Sequence, residues 1–306
     1  MDISIVIVNW NAEQYLERCL KSIADAVGDL VYEVIVLDND SSDNSLKILK
    51  KFVPDVKIIE SKENLGFGRG VNYASDRASG EFLVIMNPDI KIMKEAFKEI
   101  HSFFKSHPEA GIVGPKIINP DGSLQALGGG ESPLSLWAAF NHYFFLAKKM
   151  GHIPFFRGIY VSGETQIPLE VGWVTGACFM IRNSLFKEIG MFDEDFFMYS
   201  EDVDLCYRVK KKGWKIFYIP DAEVVHYLGV STFQVWDKII AQQGNNTVRL
   251  FRKHRGKAAL FIFRTFLSFG FVLRIFITYF KYIFSGKSIF LEKYKYLKKC
   301  FKMVLK

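Results

Sequence analysis

Residues 3–11, ISIVIVNWN, and residues 31–43, VYEVIVLDNDSSD, decide the fold. Apart from Ser4 and Glu33, each is an apolar, largely β-branched run that stops abruptly at polar residues. A run that is apolar at every position, rather than at alternate ones, is the mark of a strand buried on both faces, as in a parallel sheet covered by helices. Between the two runs, Tyr15, Leu16, Cys19, Leu20 and Ile23 recur at helical spacing. The order is therefore strand, helix, strand, and the crossover is expected to be right-handed.

The same alternation continues outward from this unit. Ser45–Phe52 reads as a helix, Val56–Glu60 as a short strand, and the glycine-rich stretch Asn64–Gly70, NLGFGRG, as a turn opening a helix near Val71. Phe82–Met86 is a further strand, ending at Asn87-Pro88-Asp89, and Glu95–Lys105 is a helix. Turns are expected at 119–122 and at Gly128–Gly130, with an aromatic patch between them and the next strand, from Trp137 to Phe145. Gly172–Arg182 reads as a strand and Ser184–Ile189 as a helix. The acidic, aromatic stretch 192–208 precedes a helix running from Leu205 to Lys212, and Trp214–Ile219 is a strand from which Val224–Ser231 leads out. Ligands of such sheets sit beyond the carboxyl ends of the strands. Three strands deliver polar residues at that edge: Asn9–Asn11, Asp38–Asp43 and Asn87–Asp89.

Charge is split along the chain. Residues 248–306 carry 15 Lys and Arg against one acid, Glu292, a balance of +14. Since the whole chain is +7, residues 1–247 are −7. An acidic body with a basic tail excludes a uniformly basic nucleic-acid binder and points to two tasks in one chain. Four scattered cysteines without a CxxC pair (Cys19, Cys178, Cys206, Cys300) fit reduced thiols in a cytosolic setting, and the N-terminus lacks the basic region of a signal peptide.

Each polar cluster has a chemical and a structural reading. Asp38–Asp43 can accept hydrogen bonds from a base or ribose, or can simply cap the helix at Ser45. Gly66–Gly70 can bring backbone N–H groups to a phosphate at a helix start, or can be a tight turn; it does not fit the G-x-G-x-x-G dinucleotide pattern. Asp89 at a strand end can hold a divalent cation that grips a diphosphate. Glu201, Asp202 and Asp204 favour a helix N-terminus for dipole reasons alone. Behind Phe196–Tyr199, however, a partly desolvated carboxylate there suits a general base. His226 gains a metal-binding role only if it lies beside Asp89.

In this order, IVIVNWN, VLDNDSSDNS, NLGFGRGVN, IMNPD, GWVTGACFMIR, FDEDFFMYSEDVDLCYR and VVHYLGVS resemble glycosyltransferase family 2, and most closely its rhamnosyltransferase-like members, over roughly residues 2–235. The resemblance implies a GT-A fold: a doubly wound α/β domain with a mixed, mostly parallel sheet and flanking helices. It would span 1–256, with a nucleotide-sugar half to about 115 and an acceptor half from about 116. It implies Mg²⁺ or Mn²⁺ as cofactor. By position, Asp38 is implied to contact the nucleobase, Asn9 and Asn11 to form the first nucleotide-binding loop with Asp40 beside them, and Gly66, Arg69 and Asn72 to border the nucleotide. Asp89 is implied to hold the metal, completed by His226. Asn87 stands where the family's D-x-D motif has its first acid, and an amide binds a cation more weakly than a carboxylate. Asp202 is implied to be the base. Glu201 and the strand carrying Trp173, Thr175 and Gly176 are implied to line the acceptor.

The activity so implied is inverting transfer of a sugar from a dTDP- or UDP-sugar, dTDP-rhamnose among them, to a hydroxyl of a lipid-linked glycan in cell-surface polysaccharide synthesis. Two alternatives stay open: a polyprenyl-phosphate glycosyltransferase, and a catalytically silent scaffold that binds nucleotide or lipid. The tail bears on the acceptor. Ala258–Phe284 is apolar and long enough to span a membrane, but Arg264, Arg274 and Lys281 interrupt it. With Lys257, Ser268, Thr278 and Ser285 they fall within one arc, as expected of an amphipathic helix lying in an anionic membrane surface, with Gly270 as a candidate bend. Lysines from 287 to 306 add to that attraction. Residues 257–306 are thus read as basic amphipathic helices that keep the enzyme peripherally on the cytoplasmic face of the membrane; packing on the catalytic domain or in a homodimer is the alternative.

Overall fold

The two apolar runs lie side by side as interior strands of a nine-stranded mixed sheet, as their hydrophobicity requires. In this computed structural model the described residues are 1–125, 130–160, 165–227 and 236–304, with backbone alone for 236–244, 300, 303 and 304. Gly128 and Gly129 of the expected turn, and the end of Val224–Ser231, lie outside them. The described residues fall into two compact units, 1–125 with 165–227, and 130–160 with 236–304.

In the first unit, β1 (Ile3–Asn9), β2 (Tyr32–Asp38), β3 (Val56–Glu60) and β4 (Phe82–Met86) form a parallel array ordered β3-β2-β1-β4. Helices α1 (Glu13–Val27), α2 (Ser45–Lys50) and α3 (Phe67–Ser75) connect them. Every residue of β1 and β4 is buried, the burial on both faces that continuous apolar runs predict. The sheet continues through β8 (Cys178–Arg182), β6 (Ala110–Ile118), β9 (Lys215–His226) and β5 (Ile90–Ile92), while the short β7 (Leu169–Glu170) pairs with β9. Strand β8 runs antiparallel to both β4 and β6, whereas β6 and β9 are parallel. Helices α4 (Ala96–Ser106), α7 (Asn183–Glu188) and α8 (Glu201–Lys211) complete this unit.

Several expectations change. The strand expected over Gly172–Arg182 is confined to Cys178–Arg182. Its first half, which carries Trp173, Thr175 and Gly176, is irregular backbone held by single bonds such as that from the Val171 N–H to the Ile216 carbonyl. Helix α3 starts at Phe67, inside the glycine-rich stretch, because Gly68 and Gly70 are helical residues rather than turn residues. Their missing side chains let the helix approach Phe192 on one side and Val8 and Leu37 on the other; a Cβ would lie 3.1–3.2 Å from those atoms. Helix α8 begins at Glu201 rather than Leu205, so the acids lie in its first turn. Strands β5 and β6 were not foreseen. Gly111, Gly114 and Pro115 break the apolar pattern of β6, yet Gly111 and Gly114 leave room for Trp214 and Val174 to pack on it.

The second unit contains α5 (Leu136–Tyr143), α6 (Leu146–Met150), α9 (Trp236–His254), α10 (Gly256–Ser285) and α11 (Ser288–Val304). Helix α10 is unbroken through Gly270, whose bare Cα admits Tyr143: the Tyr143 Cβ would stand 2.7 Å from an added methyl. The middle of the polar arc of α10 turns inward, while Lys257, Lys281 and Ser285 stay exposed. Thr278 is buried, and Arg274 donates to the carbonyls of His142 and Tyr143 at 3.1 Å, satisfying the end of α5. The opposite, apolar face is the exposed one, with Phe269, Phe276, Phe280 and Phe284 between 52% and 84% accessible. The aromatic patch Trp137–Phe145 packs within this unit, Phe140 and Phe144 both meeting Phe266 edge-on.

Candidate active site

At the carboxyl edge of the parallel array, register fixes which side chains meet. Asn9 lies opposite Asp38 across the β1–β2 ladder. The Asn9 Nδ2 donates to Asp38 Oδ1 at 2.8 Å and to the Ser41 hydroxyl at 3.1 Å, and Asp38 Oδ2 accepts from the Ser41 N–H. Asn11, in a left-handed conformation with φ 50°, accepts from the Ser42 N–H. Both loops are thus cross-tied, leaving the exposed Asp40 (φ 65°) at their rim. The expectation that Asp38–Asp43 caps α2 also holds for one member, since Asp43 accepts from the Ser45 N–H.

Asn39, which the sequence reading passed over, ties this edge to the glycine-rich stretch. Buried, it donates to Asn64 Oδ1 and the Gly66 carbonyl and accepts from the Leu65 N–H. Its signal was faint, since an Asn inside an Asx-rich turn is normally local. Gly66 adopts φ 77°, and a Cβ there would stand 2.3 Å from the Phe197 carbonyl oxygen, which instead accepts from the Phe67 N–H. The start of α3 is therefore clasped to the segment leading into α8. Asn72 reinforces this clasp: its amide group donates to the Phe192 carbonyl and Glu194 and accepts from the Phe192 N–H, so the side chain is committed to protein partners. Arg69 lies at the rim, half-exposed, 3.8 Å from Glu63 and 3.9 Å from Glu194.

Tyr199 and Ser200 take φ of 68° and 75°, an unfavourable pair for residues with side chains, immediately before the acids. The three acids then part company. Asp204 is fully buried and paired with Arg208 at 2.7 Å, whose other nitrogens bind the carbonyls of Ile189 and Met191; it is structural. Glu201 is buried, and among the described residues its Oε2 finds no partner. Burial and the neighbouring Asp202 charge push its carboxyl well above the ordinary range. Asp202 is partly exposed. It accepts from the Gly176 N–H at 2.8 Å and from its helix-start neighbour Val203 at 2.8 Å, bonds that favour the carboxylate. Desolvation nevertheless raises its pKa, which makes it a stronger base than an ordinary aspartate. The two adjacent carboxyls thus sit in different surroundings, Asp202 with backbone N–H donors and Glu201 against a like charge.

The backbone links Asp202 to the strand ends. Gly176 holds Asp202, and the next residue, Ala177, accepts through its carbonyl from the Asn87 N–H at 2.9 Å. Two residues further lies Asp89, whose Oδ1 is 3.3 Å from His226 Nε2. Strand β5 pairs with the end of β9, bringing Ile90 opposite His226. A second residue missed in the sequence, Gln125, orients the imidazole. Its amide nitrogen donates to Asn119 Oδ1 and the His226 carbonyl, which turns Oε1 toward His226 Nδ1 at 2.7 Å. The Nδ1–H then donates to Gln125, which turns Nε2 toward the Asp89 carboxylate. Among the described residues no cluster of three or more ligand-type side chains occurs. One carboxylate and one imidazole suit a hard cation that takes its remaining ligands from water and phosphate. Thr175 accepts through its hydroxyl from the Ala177 N–H, and Trp173 is buried below it.

The structure therefore brings Asn9, Asp38, Gly66, Asn87, Asp89, Gly176, Glu201, Asp202 and His226 to one edge of the sheet. Two of the buried polar atoms without a partner, Asn9 Oδ1 and Glu201 Oε2, belong to this set, as expected where a ligand completes the hydrogen bonding.

The profile of Glycosyl transferase family 2 matches residues 4–190. Over 245 residues the chain is 32% identical to an N-acetylglucosaminyl-diphospho-decaprenol L-rhamnosyltransferase of Mycobacterium tuberculosis, covering 74% of this chain and 76% of that protein. It is 25% identical over 268 residues to the rhamnosyltransferase WbbL of Escherichia coli K12, covering 82% and 93%. The mannosyltransferase PcManGT of Pyrobaculum calidifontis, solved with GDP-Man and Mn²⁺, superposes with a TM-score of 0.59 at 14% identity over 99% of this chain and 86% of that one. TarS of S. aureus with UDP gives 0.52 at 20% identity over 89% and 72%. These structural likenesses are to the GT-A fold. By sequence and by fold the chain belongs to glycosyl transferase family 2, in its rhamnosyltransferase-like branch, and is a glycosyltransferase.

Proposed function

We propose that this enzyme transfers a hexose, with inversion, from a dTDP- or UDP-sugar (dTDP-rhamnose foremost) to a hydroxyl of a lipid-linked glycan in cell-surface polysaccharide synthesis. The observation that carries the proposal is Asp202: a desolvated carboxylate fixed by the Gly176 N–H, one peptide from the strand end that bears Asn87 and Asp89. Asp202 takes the proton of the acceptor hydroxyl, and that oxygen attacks the anomeric carbon on the face opposite the diphosphate. Glu201, buried beside Asp202, borders the acceptor and leaves the more accessible Asp202 as the acting base. Asp38 and Asn9 hold the nucleobase and Asn11 and Asp40 the ribose side. Gly66 and Arg69 approach the diphosphate, and Asn72 positions them. Trp173, Thr175 and Gly176 border the acceptor.

Asp89 and His226 would hold Mg²⁺ or Mn²⁺, with Asn87 as a weaker neighbour. That cation supplies charge neutralisation to the leaving diphosphate. The names of relatives that act on diphospho-decaprenol-linked sugar support the lipid-linked acceptor. So does Gly256–Ser285, which is long and apolar enough to cross a membrane. With Arg274 engaged by α5 and much of its apolar face outward, this helix favours lying in the membrane surface over crossing it. We place the protein on the cytoplasmic face, with exposed lysines toward anionic lipid.

The test is Asp202→Asn. It is expected to leave nucleotide-sugar binding unchanged in calorimetry while lowering turnover by roughly two to four orders of magnitude. Full turnover in this variant would remove the base and favour a phosphate acceptor, which needs none.

A further inference from the structure

The exposed face of α10 is not a uniform apolar surface. Where α10 turns into α11, Phe276, Ile277, Phe280 and Phe284 on one helix and Phe290 on the next line an open groove of about 620 Å³, within the ~300–1,000 Å³ range of small-molecule sites. The groove is almost wholly apolar along its length and has one charged residue at its rim, Lys281, whose Nζ stands 5.9 Å from the Phe290 ring. Lys287 follows at once in the helix turn, and Glu292 is the sole acid from 248 to 306. Phe280 and Phe284 are 52% and 84% exposed, an arrangement that costs free energy in water unless something apolar covers it. A flat interfacial helix needs no concavity. An open aromatic groove with a cation at its rim instead suits one hydrocarbon chain bearing an anionic head.

We propose that this groove binds a single long-chain lipid phosphate, its hydrocarbon lying along Phe276, Phe280, Phe284 and Phe290 and its phosphate meeting Lys281. The site rests on the lipid-linked acceptor reading above and deepens it: it gives the chain of the lipid its own seat, separate from general adhesion to an anionic surface.

The experiment uses the full chain and farnesyl phosphate as a monomeric probe, with farnesol and inorganic phosphate as controls, measured by calorimetry. Wild type is expected to bind farnesyl phosphate, farnesol severalfold more weakly, and inorganic phosphate not at all. Phe280→Asp and Phe284→Asp should each weaken farnesyl phosphate tenfold or more, and Lys281→Gln should bring farnesyl phosphate down to the affinity of farnesol. All three positions are exposed, so the fold should survive, which circular dichroism checks. In parallel, flotation with phosphatidylglycerol vesicles measures surface adhesion. Vesicle binding with no farnesyl phosphate binding, or farnesyl phosphate binding unchanged by both aspartates, overturns the groove while leaving the membrane reading in place. Farnesyl phosphate binding lost in the aspartate variants supports it, even if vesicles do not bind.

Discussion

At the residue scale, Asp202 and Glu201 show how neighbouring carboxyls acquire different duties. Backbone N–H donors hold Asp202 as an anion, whereas Glu201 has burial and a like charge against ionisation. The acid limb of kcat/KM should therefore fall as pH drops through an Asp202 pKa above that of a free aspartate, measurable as a pH profile with donor saturating. Gln125 acts through His226. Gln125→Leu removes the acceptor for Nδ1–H, and the Mn²⁺ concentration giving half-maximal rate should rise about 10- to 100-fold, with turnover restored at high metal. An unchanged metal titration would mean that Asp89 and His226 are only an ion pair. Far from the site, Glu33 accepts from Ser4, Ser79 and Lys57 and is held down to about 2 from 4.5. A lowered folded pKa stabilises above the unfolded value, and that gain is lost as pH falls from about 4.5 toward 2. It amounts to about 3 kcal/mol. Wild type should thus lose urea resistance between pH 5 and 2.5 more steeply than Glu33→Gln, which lacks the titrating group.

At the scale of elements, α3 and α8 are joined by the Gly66–Phe197 clasp. Gly66→Ala meets both an unfavourable φ and the Phe197 carbonyl, at a cost of at least about 1–3 kcal/mol. Because the displaced segment leads into Glu201–Asp202, turnover should fall together with thermal stability; loss of stability alone would break the proposed link between donor loop and base. The regular elements were readable where period and punctuation agreed. Strands β3 and β4 match the predicted limits residue for residue, since β-branched runs end at polar caps. The irregular Gly172–Ala177 read as strand because buried loops and buried strands share composition. The glycines of α3 read as a turn because only the approach of Val8, Leu37 and Phe192 explains them.

Across the whole molecule, residues 130–160 pack with the C-terminal helices, a grouping no local pattern announces. Deleting 257–306 would uncover Phe140, Phe144 and the end of α5 now held by Arg274. The truncated chain is therefore expected to aggregate rather than to yield a soluble enzyme, as light scattering would show. Neutralising Lys293, Lys295, Lys298 and Lys299 to Gln is the cleaner probe of surface attraction: sedimentation with anionic vesicles should weaken, by up to about 1 kcal/mol per lysine, without loss of helix. The sequence by itself determined the parallel array, the polar strand ends and the split of charge, because side-chain periodicity and composition encode which faces are buried. Only the tertiary structure decided that Gly176 holds Asp202, that Gln125 turns His226 toward Asp89 from 101 positions away, and that Arg274 and Thr278 of the polar arc of α10 turn inward. Those are pairings between distant segments, and chain topology, not local pattern, brings their atoms within hydrogen-bonding range.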